Sequence, residues 1–119
     1  MTTDRLRLLI LIVAYNAKST LAPVLDRLPA AVLSDFDCEV LIIDDASDDG
    51  TFEHGLAYQQ THADLPLTML RYRSNQGYGR NQKVGYTYAI QEGFDFVALI
   101  HGDGQYAPEE LLSLMAPLV

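Results

Sequence analysis

Short apolar runs alternate with longer segments of helical pattern along this chain, and that alternation constrains the fold more than any other feature. Four runs are rich in leucine, isoleucine, valine and phenylalanine and predict buried strands, namely Leu6–Tyr15, Glu39–Asp44, Leu67–Arg73 and Phe94–Ile100. A helical pattern follows each run, which gives the order β-α-β-α-β-α-β-α. This order predicts an α/β fold with a parallel sheet and right-handed crossovers.

The helical segments are predicted from capping residues and from apolar spacing. Ser19 is the expected N-cap of the first helix, whose apolar face is formed by Leu21, Val24, Leu25 and Leu28. A second helix is expected from Thr51 to about Gln60, and a third from Gly79 to Gln91 with Val84, Tyr88 and Ile90 near one face. A fourth helix is expected to start at Pro108 and to reach the end of the chain.

Composition and charge exclude several classes of protein. The 119 residues are 49% hydrophobic and carry a net charge of −8, which suits a folded domain and argues against binding to nucleic acid or to an anionic membrane surface. The longest apolar run, Leu8–Tyr15, is too short for a transmembrane segment. Cys38 is the single cysteine and is expected in the core, and His54 and His62 are expected on the surface.

Polar loops follow the predicted strands directly. They begin at Asn16, at Asp44, at Ser74 and at His101. Because the carboxyl ends of parallel strands lie along one edge of the sheet, and because ligands bind outside that edge, function is expected there.

The second loop carries four carboxylates within six residues. Asp48 or Asp49 is expected to cap the next helix, where backbone N–H groups and the helix dipole favour negative charge. Capping does not explain Asp44 at the strand end or Asp45 beside it. The Asp44 carboxylate can accept two hydrogen bonds, as from a nucleobase edge or a ribose diol, and a purely structural role is the alternative.

The third and fourth loops suggest anion and cation binding respectively. Gly77 and Gly79 weakly resemble a phosphate loop, and Arg80 and Lys83 either face an anionic ligand or are solvated. In the fourth loop, His101 and Asp103 can share a divalent cation, with the imidazole favouring Mn²⁺ over Mg²⁺. The alternatives are a strand-terminal histidine bonded to backbone and a turn aspartate bonded to its own backbone.

Together these loops resemble the family-2 glycosyltransferases. The resemblance runs along nearly the whole chain and is carried by four motifs in order. They are Ala14-Tyr15-Asn16, Ile42-Ile43-Asp44-Asp45-Ala46-Ser47-Asp48-Asp49-Gly50-Thr51, Asn75-x-Gly77-x-Gly79 with the later Gly85, and Asp103-Gly104-Gln105-x-x-Pro108-Glu109. Within the family, the likeness is greatest to the polyprenyl- or dolichyl-phosphate sugar transferases.

The resemblance implies a Rossmann-like parallel sheet, the N-terminal half of the glycosyltransferase A-type fold. It implies an inverting enzyme that binds a UDP- or GDP-sugar with Mg²⁺ or Mn²⁺ and transfers the sugar to an acceptor such as a polyprenyl phosphate or a glycan. The residues that it places at the substrate are Ala14, Tyr15, Asn16, Asp44, Asp45, Ser47, Gly77, Gly79, Arg80 and Lys83. Tyr15 and Asp44 are expected at the nucleoside, with Asp44 near the base.

At the metal position, Asp103 matches the last aspartate of the family's Asp-x-Asp element. The sequence departs from the family pattern at three positions. His101 replaces the first aspartate of that element, Ala17 replaces a frequent glutamate, and Lys83 replaces a frequent asparagine and can contact phosphate instead. We interpret these departures as the mark of a subgroup.

Residues 1–119 are expected to be only the donor-binding half of such a domain, with the acceptor pocket and the catalytic base outside them. The isolated chain is therefore expected not to transfer sugar. A cytoplasmic location is expected, with membrane contact supplied by an absent region or a partner. One alternative is a non-catalytic fragment that binds the nucleotide sugar or forms a homodimer. Another is a phospho-acceptor receiver domain, which disagrees with the acidic pair after the second strand and with the lack of a predicted fifth strand.

Overall fold

The computed structural model describes residues 5–102 and 115–117, which form one twisted sheet covered by helices. The strands are β1 (Arg7–Ala14), β2 (Asp37–Asp44), β3 (Leu67–Arg71), β4 (Phe96–His101) and β5 (Met115–Pro117), arranged in the order β3-β2-β1-β4-β5. The first four strands pair in parallel, so the predicted α/β fold with a parallel sheet is confirmed.

Strand β1 lies between β2 and β4, which explains its sequence. All residues from 8 to 14 are buried, because helices cover both faces of the sheet at this position. A strand buried on both faces needs a continuous apolar run rather than an alternating one. The four predicted strands are all present, with ends that differ from the predicted bounds by a few residues.

The end of the described chain departs from the prediction. Met115–Pro117 forms β5, which pairs antiparallel with β4, so the helix expected to continue to the last residues is wrong there, and so is the expected lack of a fifth strand. Pro117 lies opposite Phe96 on a strand at the edge of the described sheet, a position where proline's missing N–H does no harm. The helix start expected at Pro108 lies outside the described residues.

The segment after β1 forms two short helices instead of one, α1 (Leu21–Asp26) and α2 (Ala30–Asp35). Pro29 immediately precedes α2 and adopts an extended conformation, which separates the two. Ser19 is not the N-cap of α1. Thr20 holds that position without a side-chain cap, and its hydroxyl donates instead to the backbone oxygen of Gly102 at 2.7 Å.

Two apolar layers fill the space between the sheet and the helices. On one face, residues such as Ile10 and Ile12 pack against α1, α2 and α3 (Thr51–Thr61), and the predicted face of Leu21, Val24, Leu25 and Leu28 is buried there. On the other face, residues such as Leu9 and Leu11 pack against α4 (Tyr78–Gln91). No helix among residues 5–102 is long and apolar enough to cross a membrane.

Helix α4 turns to the sheet a face that only partly matches the predicted one. Its buried residues are Asn81, Gly85 and Ala89, and Tyr88 of the predicted face is partly buried against the same layer, whereas Val84 is 37% and Ile90 63% exposed. The spacing of four residues marks the inward face, but that face uses small and polar residues. A Cβ added to Gly85 would stand 2.3–2.9 Å from the Leu11 side chain, so glycine allows α4 to approach β1 closely.

Gly85→Ala is therefore expected to destabilise the fold. Leu11 is fully buried and its side chain would have to shift within a packed layer, so we expect a loss of about 1–3 kcal/mol in the free energy of unfolding. Urea denaturation measures this loss. Gly79→Ala is the matched control, since nothing lies within 4 Å of an added Cβ there, and it should leave stability unchanged or raised. Equal stability of both variants would contradict the close helix packing.

The three residues assigned from chemistry to core or surface behave much as expected. His54 and His62 are exposed, as predicted. Cys38 is half-buried against the layer that contains α1 and α2, and its thiol donates to the backbone oxygen of Val32 at 3.5 Å. Burial, with a smaller contribution from Asp37, raises the pKa of the Cys38 thiol from its ordinary 9.0 to about 11.

Alkylation of Cys38 by iodoacetamide should report this shift. Because the thiolate is disfavoured in the folded state, the native rate should keep rising with pH beyond 9.0 towards about 11, whereas the urea-unfolded chain should level off near 9.0. By linkage, the stability that Cys38 contributes is complete below the unfolded pKa and is lost as pH rises through the folded value. A native rate that levels off near the unfolded pKa would contradict the burial of the thiol.

Candidate functional site

The carboxyl ends of the parallel strands lie side by side, and this brings the polar loops together as predicted. In the strand register, Ala14 pairs with Asp44 and Val13 with His101, so the ends of β1, β2 and β4 are level. The chain leaving β2 stays attached to β1, because the backbone N–H of Asp45 donates to the oxygen of Ala14 at 2.9 Å. After β4, the backbone N–H of Gly102 likewise donates to the backbone oxygen of Val13 at 2.9 Å.

Asp44 is completely buried at the end of β2. Its Oδ1 accepts hydrogen bonds from the hydroxyl and from the backbone N–H of Ser47. Its Oδ2 accepts no hydrogen bond from a described residue and lies 3.9 Å from Nε of Arg71. Arg71 Nη1 is also 3.4 Å from Glu53 Oε2, and the guanidinium stands over the ring of Phe52. The buried carboxylate of Asp44 is therefore compensated by a partly exposed cation that is shared with Glu53 and makes no hydrogen bond to Oδ2.

Asp45 binds the glycine loop that precedes α4. Its Oδ1 accepts the backbone N–H of Gln76 at 2.6 Å, and its Oδ2 accepts that of Gly77 at 3.0 Å. Gly77 has a φ of +90°, which glycine adopts without strain and which turns the chain from this loop into α4. Asn75 adds a bond from its side-chain amide to the Asp45 backbone oxygen at 3.3 Å.

The loop after β1 is held by side chains of the second loop in the same way. Ser47 Oγ accepts the backbone N–H of Asn16 at 2.8 Å, and Thr51 Oγ1 accepts that of Ala17 at 2.9 Å. Asp49 accepts the backbone N–H of Lys18 at 3.1 Å. Asn16 itself has a positive φ of 48°, which asparagine tolerates better than most residues.

The N-cap residue of α3 is Gly50, which has no side-chain cap, so neither Asp48 nor Asp49 is the N-cap; Asp49 nevertheless accepts a backbone N–H at the helix start, as expected. Its Oδ1 accepts the backbone N–H of Thr51, the first residue of α3, at 3.0 Å. The hydrogen bond from the Thr51 hydroxyl is the main cause that lowers the pKa of Asp49 below its ordinary value. Asp48 is exposed, and its backbone N–H donates to the side chain of Asn16 at 3.2 Å.

An open cavity of about 350 Å³ lies between these loops and the start of α4. The ends of β1 and β4, the glycine loop and the first turns of α4 line it, with Val13, Ala14, Tyr15, Asp45, Asn75, Gly77, Tyr78, Asn81, His101 and Gly102 as lining residues. Two exposed aromatic rings belong to this wall, those of Tyr15 (54% exposed) and Tyr78 (44%). The Tyr78 ring stacks on His101 with 4.8 Å between ring centroids.

The structure brings together only part of the predicted site. The cavity lining includes Ala14, Tyr15, Asp45, Gly77 and His101. Asp44 and Ser47 lie beneath the loops, Gly79, Arg80 and Lys83 are exposed on α4, and Asn16 holds the second loop. Asp103 lies outside the described residues.

Asn81 and Tyr78 are cavity residues that sequence reasoning missed. The signal for Asn81 was its place four and eight residues before Gly85 and Ala89, on the face that turns to the sheet.

The described residues supply at most part of a metal centre. His101 is the described member of the predicted pair, and its Nε2 shares a hydrogen bond with the Tyr78 hydroxyl at 3.2 Å. Within residues 5–102 and 115–117, no three histidine, cysteine or acidic side chains come together in a way that could hold a metal ion. Both carboxylate oxygens of Asp45 are already bonded to backbone N–H groups.

Solved structures with a similar fold include a mannosyltransferase. The mannosyltransferase PcManGT from Pyrobaculum calidifontis, determined with GDP-Man and Mn²⁺, superposes with a TM-score of 0.74 at 23% identity and covers 94% of this chain and 32% of its own. TarS residues 1–349 from S. aureus, with UDP-GlcNAc, gives a TM-score of 0.62 at 21% identity over 91% of this chain and 30% of its own. The fold is therefore the N-terminal half of the glycosyltransferase A-type fold.

Sequence comparison gives the family. The model described as "Glycosyl transferase family 2" matches residues 9–119. The chain therefore belongs to glycosyl transferase family 2, as its motifs predicted.

Two curated relatives are enzymes of lipid-linked sugar synthesis. Undecaprenyl-phosphate mannosyltransferase from Micrococcus luteus is 31% identical over 92% of the chain, and polyprenol monophosphomannose synthase from Mycolicibacterium smegmatis is 29% identical over 92%. The matched segment spans 43% and 40% of their respective lengths. The likeness to polyprenyl-phosphate sugar transferases is thus confirmed, for a chain that spans about two-fifths of these relatives.

Asp45→Asn should destabilise the fold because the amide presents an NH₂ group to one of the two backbone N–H donors. We expect the free energy of unfolding to fall by about 1–3 kcal/mol. Asp48→Asn removes the same charge from an exposed position of the same loop and should change stability by less than about 0.5 kcal/mol. Urea denaturation of both variants tests the assignment, and equal effects would mean that charge, not the two bonds, matters at Asp45.

Proposed function

We propose that this chain is the donor-binding part of an inverting glycosyltransferase that binds a nucleoside diphosphate sugar with Mg²⁺ or Mn²⁺. The acceptor would be a polyprenyl phosphate or another glycan. The observation that carries the proposal is the cavity at the carboxyl edge of the sheet, where residues of three family motifs line one space together with His101 at the end of β4. Family membership and the two curated relatives support the reaction class.

The base of the nucleotide would bind beside Tyr15, next to the end of β2 where Asp44 lies buried beneath the loops. The exposed Tyr15 ring offers an apolar face of the size that stacks on a base. Asp44 Oδ2 is a buried acceptor that still lacks a hydrogen-bond donor among the described residues, which an N–H of the base would supply. Ser47 occupies the other oxygen and would hold the carboxylate in one orientation.

The diphosphate would extend toward the β4 end of the cavity. His101 lies there, and Asp103 follows two residues later in the sequence, so we assign these two to the divalent cation. The cation would neutralise the departing diphosphate. The solved neighbour with GDP-Man contains Mn²⁺, which supports metal use in this fold. Arg80 and Lys83, exposed on the first turns of α4, would add positive charge on the same side.

The acceptor and the base that deprotonates it are assigned to a segment outside residues 1–119. In an inverting reaction, the acceptor oxygen attacks the anomeric carbon from the face opposite the diphosphate while a base removes its proton. The described residues form the donor side of that reaction. The proposed location is the cytoplasm, at the membrane surface where a polyprenyl phosphate would be presented.

Isothermal titration of the 119-residue chain with uridine, guanosine, UDP, GDP, UDP-GlcNAc and GDP-Man tests the proposal. With Mn²⁺ present, one nucleotide series should bind, and removal of the cation with EDTA should weaken diphosphate binding about tenfold or more while leaving the nucleoside unaffected. Absence of binding by every nucleotide would contradict the donor assignment and would leave a non-binding fragment as the better description.

Paired variants separate the two ends of the site. Asp44→Asn should weaken nucleoside and nucleotide binding alike, because the base loses a charged acceptor, whereas Asp48→Asn should not. His101→Ala should weaken only the Mn²⁺-dependent part, with the exposed His54→Ala as its control. Thermal melts monitor folding of each variant. An unchanged affinity in both Asp44→Asn and His101→Ala would refute the residue assignment.

A further inference from the structure

Asn81 is a polar residue on the face of α4 that is otherwise occupied by small apolar residues. It lies on the buried face of α4 with Gly85 and Ala89 and is only 2% exposed. Asparagine is a poor residue for a helix interior, and a buried side-chain amide needs hydrogen bonds. A local choice that costs stability without a structural return is typical of a functional position.

The side-chain oxygen of Asn81 makes no hydrogen bond that would stabilise the fold among the described residues. Oδ1 is buried and accepts no hydrogen bond from the residues that the structure describes. Side-chain atoms with this property are otherwise found in that part of the chain only at Asp44 Oδ2 and the hydroxyl of Tyr72. Asn81 therefore presents an unused acceptor, and it is one of the residues that line the cavity.

The position of Asn81 lies between the two proposed ends of the nucleotide. Asp44 and His101 end the two strands that flank β1, so they are separated by two strand spacings, about 10 Å. Helix α4 lies over β1, since Gly85 contacts Leu11, and Asn81 is one turn closer to the cavity. A group bound beside Asn81 therefore belongs to the ribose, to the diphosphate or to the transferred sugar, and not to the base.

The chemistry of an amide oxygen decides which group that is. An ionised phosphate has only acceptor oxygens and cannot donate a hydrogen bond to Oδ1, whereas a sugar hydroxyl can. On the basis of the function proposed above, we propose that Asn81 is a donor-site residue whose Oδ1 accepts a hydrogen bond from a hydroxyl of the bound nucleotide sugar. That hydroxyl belongs either to the ribose or to the transferred sugar, and binding experiments distinguish them.

The decisive variant is Asn81→Leu, which keeps the branched shape and removes the polar atoms. Because an unsatisfied buried acceptor is replaced by an apolar group, its thermal and urea stability should equal or exceed that of the original chain. Its affinity for the nucleotide or nucleotide sugar should fall about five- to tenfold. Gln82→Ala, on the next residue of α4 and outside the cavity lining, should leave affinity unchanged.

Modified ligands identify the hydroxyl. If the ribose donates, the loss in Asn81→Leu is already present with UDP or GDP and disappears with the 2′-deoxy or the 3′-deoxy nucleotide. If the transferred sugar donates, the loss appears only with UDP-GlcNAc or GDP-Man and not with the nucleoside diphosphate. Either pattern supports the proposal, since each removes the same hydrogen bond from the ligand side.

Three results would overturn it. A loss that is equal for all ligands, deoxy forms included, would mean that Asn81 acts on the shape of the cavity or on the phosphates. Lower folding stability of Asn81→Leu would show that the amide has a structural role. Unchanged affinity of Asn81→Leu, in a chain that binds nucleotide, would refute this inference alone, whereas a chain that binds no nucleotide would refute the proposed function and this inference with it.

Discussion

The loop after β2 holds two neighbouring loops at the carboxyl edge of the sheet by accepting their backbone N–H groups. Ser47, Asp49 and Thr51 bind the loop after β1, and Asp45 binds the loop before α4. These loops lie across open ends of strands, where the regular ladder no longer satisfies their N–H groups. Short acidic and hydroxyl side chains replace the ladder, which explains why one loop needs so many of them.

These hydrogen bonds show that much of the charge of the acidic loop serves the protein's own structure. Four carboxylates in one loop predict a binding site, yet both oxygens of Asp45 and those of Asp49 are bonded within the protein. Among the described residues, the buried side-chain oxygens that accept no hydrogen bond are Asp44 Oδ2, Asn81 Oδ1 and the hydroxyl oxygen of Tyr72. Most of the acidic loop therefore holds the neighbouring loops in place, and few of its buried oxygens are free of hydrogen bonds within the protein.

The sequence predicted the architecture well because the information was local. A strand that is buried on both faces, such as β1 from Leu8 to Ala14, needs a continuous apolar run, and the parallel order alone places the polar loops that follow such strands. The inward face of α4 could not be predicted, because its contact with β1 depends on Gly85 and Leu11 meeting across the layers, which hydrophobic spacing does not reveal. Pairing of Met115–Pro117 with β4 was missed for the same reason, as it depends on a partner strand distant in sequence.

The glycine contact between α4 and β1 also couples the hydrophobic core to the cavity. Since Gly85 and Asn81 share one face of the helix, the depth at which Gly85 packs on Leu11 also sets the depth of Asn81 at the cavity wall. A larger residue at position 85 would push the helix away from β1 and would move Asn81 with it. If the cavity binds the ligand proposed above, a substitution in the core would alter ligand binding without changing any residue that lines the cavity.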